Sequence, residues 1–159
     1  MGFRELLRAG VLDRLPRIVG VQASACAPLY GAFHGKPAVA HQGAHQPTVA
    51  EGVAIRTPAR GRQILDAIRA TSGSIVAVSD QEIGEAVRLA ARLGFYVEPT
   101  GAVGLAGLRT IMGSLHTQAS VVTVFTGHGL KSPRALEELA AGSGTAPHAA
   151  RNGERAPSP

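Results

Sequence analysis

Ser74-Ile75-Val76-Ala77-Val78-Ser79-Asp80-Gln81-Glu82-Ile83 is the stretch whose reading decides the fold. Its first half is an apolar run, rich in β-branched residues, of the length of a strand. Its second half opens a helix. Ser79 and Glu82 stand at the spacing of a capping box, where a hydroxyl and a carboxylate satisfy free backbone N–H groups. The helix predicted from there carries Ile83, Ala86, Val87, Ala90 and Ala91 on one stripe. Gly94 ends it, as a glycine just past a helix does. A strand that passes directly into a helix is the repeating unit of an α/β layer.

The same alternation extends in both directions. Upstream, residues 3–9 predict a short helix, Ile18-Val19-Gly20-Val21 a strand, residues 27–34 a helix, and residues 62–72 a helix with Ile64, Leu65 and Ile68 on one face. Downstream, Phe95-Tyr96-Val97 predicts a strand and residues 100–112 a helix apolar nearly all round, hence buried. Val121-Val122-Thr123-Val124-Phe125 is apolar on both faces, the pattern of a central parallel strand. Ser132-Pro133 predicts a capped start to a last helix reaching about Ala141. The expectation is an α/β fold: a mostly parallel sheet with flanking helices.

Length and composition bound the rest. The chain has 159 residues, 45% of them apolar, enough for one ordinary domain with a real core. From Gly142 to Pro159 there is no Val, Ile, Leu, Met, Phe or Tyr. Such a stretch cannot offset its ordering entropy, so residues 1–141 are expected to fold and 142–159 to form a disordered tail. No apolar run approaches the ~18 residues of a membrane helix, and the first residues lack the apolar region of a secretory signal. One cysteine, Cys26, excludes a disulfide framework. A cytoplasmic protein with no membrane partner is expected.

The net charge of +5 comes from 16 basic and 11 acidic residues. The arginines are scattered with acids between them, and aromatics are only 4%. Nucleic-acid binding would cluster the basic residues and supply aromatics for stacking, so it is not expected. His34, His41 and His45 could be a metal set, but Gly43 and Pro47 argue against a helix that would align them, and a solvent loop is the better reading. Cys26, among small apolar residues, reads as inert core rather than a nucleophile.

In open parallel sheets ligands bind beyond the carboxyl ends of strands. That rule selects Gln22–Cys26, Glu98–Gly101 and Thr126–Gly129. Gly101, Gly104 and Gly107 recur every three residues on one helix and offer a smooth face for a strand or a ligand.

Four segments carry a resemblance to a known family: residues 15–22 (Leu15-Pro16-Arg17-Ile18-Val19-Gly20-Val21-Gln22), residues 48–54 (Thr48-Val49-Ala50-Glu51-Gly52-Val53-Ala54), residues 97–102 (Val97-Glu98-Pro99-Thr100-Gly101-Ala102) and residues 125–131 (Phe125-Thr126-Gly127-His128-Gly129-Leu130-Lys131). In this order, over about residues 1–132, the chain resembles the C-terminal part of threonine synthases and related fold-type II pyridoxal-phosphate enzymes, threonine dehydratases included. The resemblance implies pyridoxal 5'-phosphate as cofactor and an amino-acid substrate. It implies that the Thr126 hydroxyl meets the pyridine nitrogen, with Gly127 beside it in the cofactor site, that Glu98 lies near the ring end, and that Gly52 lies against the ring face. A hydroxyl is a neutral partner for that nitrogen and need not hold it protonated. Each residue also has a plainer reading: Thr126 as a turn cap, Glu98 as a carboxylate at a helix start, Gly52 as a turn glycine. His128 reads as a turn residue.

The family's Schiff-base lysine and glycine-rich phosphate loop have no counterpart here. Lys36 and Lys131 are the only lysines, and neither matches. The sequence therefore reads as beginning just after the phosphate site: a truncation, the second half of a split gene, or a mis-assigned start. The implied parent activity is replacement of phosphate in O-phosphohomoserine by water, giving threonine. A serine/threonine dehydratase fragment and a non-catalytic remnant or interaction module are the alternatives. The partner would be a separate N-terminal half or a second copy of the chain.

Overall fold

Residues 74–78 form a strand, β2 (Ser74–Val78), paired in parallel with β1 (Val19–Ala23). Val19 stands opposite Ser74 and Ala23 opposite Val78. The structure, a computed structural model, describes residues 2–36 and 47–141. A parallel pair needs a crossover, and here the connection contains α2 (Pro28–Phe33) and α3 (Gly61–Ala70). Successive residues of a strand face opposite ways. On the Gly20 side, Ile68 of α3 comes within 3.8 Å of where a Cβ on Gly20 would stand. On the Val21 side lies α5 (Pro99–Ile111), whose Gly107 sits so close that a Cβ there would collide with the Val21 side chain. Helices thus cover both faces of the strand pair.

α4 (Asp80–Arg92) begins with the expected capping box. The Ser79 hydroxyl accepts from the Glu82 N–H at 3.3 Å, and the Glu82 carboxylate accepts from the Ser79 N–H at 2.6 Å. Gly94 takes φ +87°, the left-handed turn that glycine adopts without strain. The buried stripe is Ile83, Ala86, Val87 and Ala90, while Ala91 is exposed. This stripe shares one core with Ala23, Val78, Val97, Ala102, Val103 and Ala106. Arg109 of α5 donates to Glu85 of α4 at 2.5 Å and holds that carboxyl below its ordinary range. α6 (Pro133–Ala140) lays Leu139 over Gly84 of α4, and Arg88 donates to the Leu139 carbonyl at 3.3 Å. α1 (Gly2–Arg8) buries no residue. Among the described residues no helix is long and apolar enough to cross a membrane.

Three local expectations are corrected. Residues 95–97 are not a strand: the Phe95 N–H is still bonded to Ala90 at the end of α4, and Pro99 follows at once. Only Val97 remains to pair, in a single antiparallel bridge to His128. Residues 121–125 have no regular secondary structure and join no sheet, so the described sheet has two strands. Their inner face is engaged, with Thr123 against Gly104 and the Phe125 ring 5.4 Å from Phe95. Their outer face is bare, with Val122 88% and Val124 69% exposed. Ser132 makes no side-chain cap, so α6 starts on Pro133 alone. The remaining predicted helices lie within two residues of the observed ones. The predicted tail at 142–159, and His41 and His45, lie outside the described residues.

Candidate cofactor site

The first turn of α5 is where separate segments meet. Glu98 is its N-cap in extended conformation, and Pro99 supplies the first helical residue without leaving an unpaired N–H. From one side comes the helical turn Glu51–Val53. The Gly52 N–H donates to Thr100 Oγ1 at 3.2 Å, and a Cβ on Gly52 would lie 2.9 Å from Thr100 Cγ2. From the other side comes the chain at 126–129. The Glu98 N–H donates to the Gly127 carbonyl at 3.2 Å, and the Gly129 N–H to the Tyr96 carbonyl at 3.0 Å.

Two glycines permit this approach. A Cβ on Gly127 would overlap the Glu98 carboxylate. A Cβ on Gly101 would lie 3.2 Å from the Gly127 carbonyl oxygen and 3.4 Å from the Thr126 nitrogen. The glycine stripe of α5 therefore serves backbone: Gly101 faces 126–127, Gly104 faces Thr123, and Gly107 faces Val21 of β1.

Gly52, Glu98, Thr126 and Gly127 are thus gathered around one helix start. Gly52 and Thr126 are exposed, and Glu98 and Gly127 half-buried. The Thr126 hydroxyl has no hydrogen-bond partner among the described residues. A neutral hydroxyl can donate or accept, a carboxylate stands beside it, and bare backbone flanks both. That set suits the polar edge of a flat heterocycle better than a metal ion, and no group of three or more potential metal ligands occurs among the described residues.

The other sequence candidates lie elsewhere or have local roles. Gln22 Oε1 accepts from the Tyr30 N–H at 2.9 Å and so ties β1 to α2. Cys26 is a free, buried thiol. His128 accepts from the Leu130 N–H at 3.3 Å and packs its ring against Tyr96, the behaviour of a turn residue. A His34 ring nitrogen stands 2.9 Å from the Ile75 carbonyl oxygen. Lys36 lies over the Tyr30 ring, and Lys131 is exposed at the end of a short helical turn. Two contacts were not legible in the sequence, Gly52 with Thr100 and Asp80 with Thr48-Val49. They join residues far apart in the chain, and no local spacing announces them.

The chain belongs to the family of pyridoxal-phosphate dependent enzymes, which it matches over residues 1–127. Within that family it is 37% identical over 144 residues to a threonine synthase of Methanocaldococcus jannaschii, covering 86% of this chain and 36% of that protein. It is 38% identical over 142 residues to a threonine synthase of Methanosarcina acetivorans, covering 87% and 35%. The chain therefore spans about a third of the length of these relatives. Among solved structures it resembles the crystal structure of a T.th. threonine deaminase, with TM-score 0.51 and 24% identity over 70% of this chain and 39% of that one, a likeness of fold. Pyridoxal phosphate is the cofactor that family membership implies.

Proposed function

We propose that this chain supplies the ring-nitrogen side of the cofactor site in a threonine synthase-like lyase, which replaces the phosphate of O-phosphohomoserine by water. What supports the reading most is the convergence of Gly52, Glu98 and Thr126-Gly127 on the start of α5, with the Thr126 hydroxyl left unpartnered among the described residues. The identity to threonine synthases supports this reading, and a serine/threonine dehydratase-like lyase is the second reading.

When bound, pyridoxal phosphate supplies an electron sink for charge developing on the substrate carbon. The residues of this chain do the rest of the work on its side. Thr126 pairs its hydroxyl with the ring nitrogen. Being neutral, it moderates the sink, which suits elimination and replacement. Gly52, with no side chain, lets backbone lie against the ring face. Glu98, with its backbone bonded to Gly127, presents its carboxyl group at that end of the site. The donors that grip the phosphate and the lysine that carries the cofactor come from outside the residues of this chain.

The test pairs the chain with a polypeptide that carries such a lysine and phosphate loop. Phosphate release from O-phosphohomoserine is the expected result. Release of ammonia and a keto acid from threonine instead would select the dehydratase, and neither reaction would select a non-catalytic module. In the active pair, Thr126→Val leaves the ring nitrogen unpaired at nearly constant volume. Where the bound cofactor buries that nitrogen, leaving it unpaired costs about 1–3 kcal/mol, so cofactor affinity should fall by about five- to 150-fold and the absorbance should change. Unchanged affinity and spectrum would return Thr126 to a turn cap.

A further inference from the structure

Thr48 is the one polar residue fully buried among the described residues, at 2% exposure. Its hydroxyl donates to Asp80 Oδ1 at 2.5 Å and accepts from the Ala50 N–H at 3.2 Å. The second oxygen of Asp80 accepts from the Val49 N–H at 3.1 Å. Both carboxylate oxygens are therefore committed to one short segment, 48–50, whose Val49 and Ala50 are buried in the core. Two residues further on, Gly52 is held by Thr100.

Asp80 is the first residue of α4, where an acid ordinarily complements the helix start. Here Ser79 and Glu82 already close the capping box, so hydrogen bonding by the Asp80 carboxylate is free for another use. The segment 48–53 is strung between the starts of two helices, pinned by Asp80 at one end and by Thr100 at the other. Because α4 and α5 pack along each other, the distance between the two pins is set by the core.

We infer that Asp80 is a positioning residue for the cofactor face: its carboxylate, acting through Thr48 and Val49, holds Gly52 in place against α5. This rests on the reading of Gly52 as backbone that lies against the cofactor ring. Asp80 acts through Thr48 and Val49 and is a positioning residue, not a catalytic one. It sets where the Gly52 backbone stands, and Thr100 sets the height of that backbone over the first turn of α5.

Amide hydrogen exchange on the full chain tests the clamp without any cofactor. Hydrogen bonds to a charged group are worth more than neutral ones, so Asp80→Asn and Thr48→Val should each speed exchange at Val49 and Gly52 by about tenfold or more. Exchange at Val87 and Ala90 in α4 should stay as in the parent chain, which separates local opening from global unfolding. Thr48→Ser keeps the hydroxyl and should restore protection at Gly52. If Asp80→Asn loosens α4 as well, the Thr48 pair carries the test, since it leaves the helix start intact. Unchanged protection of Gly52 in Thr48→Val, or failure of Thr48→Ser to restore it, would overturn the inference. Failure of the cofactor reading shows separately, as an unchanged cofactor spectrum in Thr126→Val while the exchange result stands.

Discussion

Residues 74–78 and 121–125 are two runs of similar composition with opposite fates. The first is a strand with Ile75 at 2% and Val78 at 0% exposure. The second has no regular secondary structure, meets Gly104 of α5 through Thr123, and leaves Val122 and Val124 in solvent. What separates them is a neighbour. β2 has the backbone of β1 beside it, whereas no described strand lies beside 121–125. An apolar run states how much surface a segment can bury, and a ladder partner decides whether it becomes a strand.

The comparison breaks hardest at Ile75. Ile75→Ala removes a side chain buried between β1 and α3, and such truncations cost about 2–5 kcal/mol. Denaturant unfolding should show that loss, and a cost below about 1 kcal/mol would deny that the face of β2 toward α3 is packed.

The glycine stripe gives a finer contrast. Gly107→Ala drives a methyl into Val21, which the β1–β2 ladder holds still. Overpacking of that kind costs about 1–3 kcal/mol, more than the ~1 kcal/mol that alanine gains over glycine in a helix. Gly104→Ala meets only Thr123, on a segment with no ladder to hold it. That segment can shift, so the helix gain should bring the net change near zero. Equal costs at the two positions would mean that 121–125 is anchored as firmly as β1.

A similarly small change in stability is expected at Val122. Val122→Thr alters a side chain that is already solvated, so unfolding should move by no more than about 0.5 kcal/mol. Self-association should fall, because an apolar side chain is removed from an exposed edge. A loss of stability above about 1 kcal/mol would show that Val122 is covered in solution.

Much of the architecture was legible in local spacing. The capping box at Ser79 and Glu82, the stop at Gly94 and the buried first turns of α5 are one-helix properties, and each is present. The misread strands concern partners. Phe95-Tyr96-Val97 and Val121–Phe125 have strand composition, but pairing depends on which backbone comes alongside, and composition does not encode that. The site was legible only in part for the same reason. Gly52, Glu98 and Thr126 were singled out by resemblance, while their meeting at α5 depends on Gly101 and Gly127 having no side chains. The Asp80–Thr48 bond had no signal beyond an acid at a helix start, which complements the helix dipole without any distant partner.

The β1–β2 register also constrains the order in which the molecule can assemble. Val19 and Ser74 are neighbours in the sheet but lie on either side of α2, the connecting loops and α3, so a long loop must close before their ladder repays anything. α4 and α5, by contrast, are adjacent in sequence, joined by residues 93–98, and pack directly on each other. Local contacts are reached sooner than distant ones. The helix pair is therefore the natural nucleus, and the parallel ladder a late event that locks it. Truncation at Val87 in α4 should then act mainly on the folding rate, and truncation at Val78 in β2 mainly on the unfolding rate. The reverse pattern would place the ladder first.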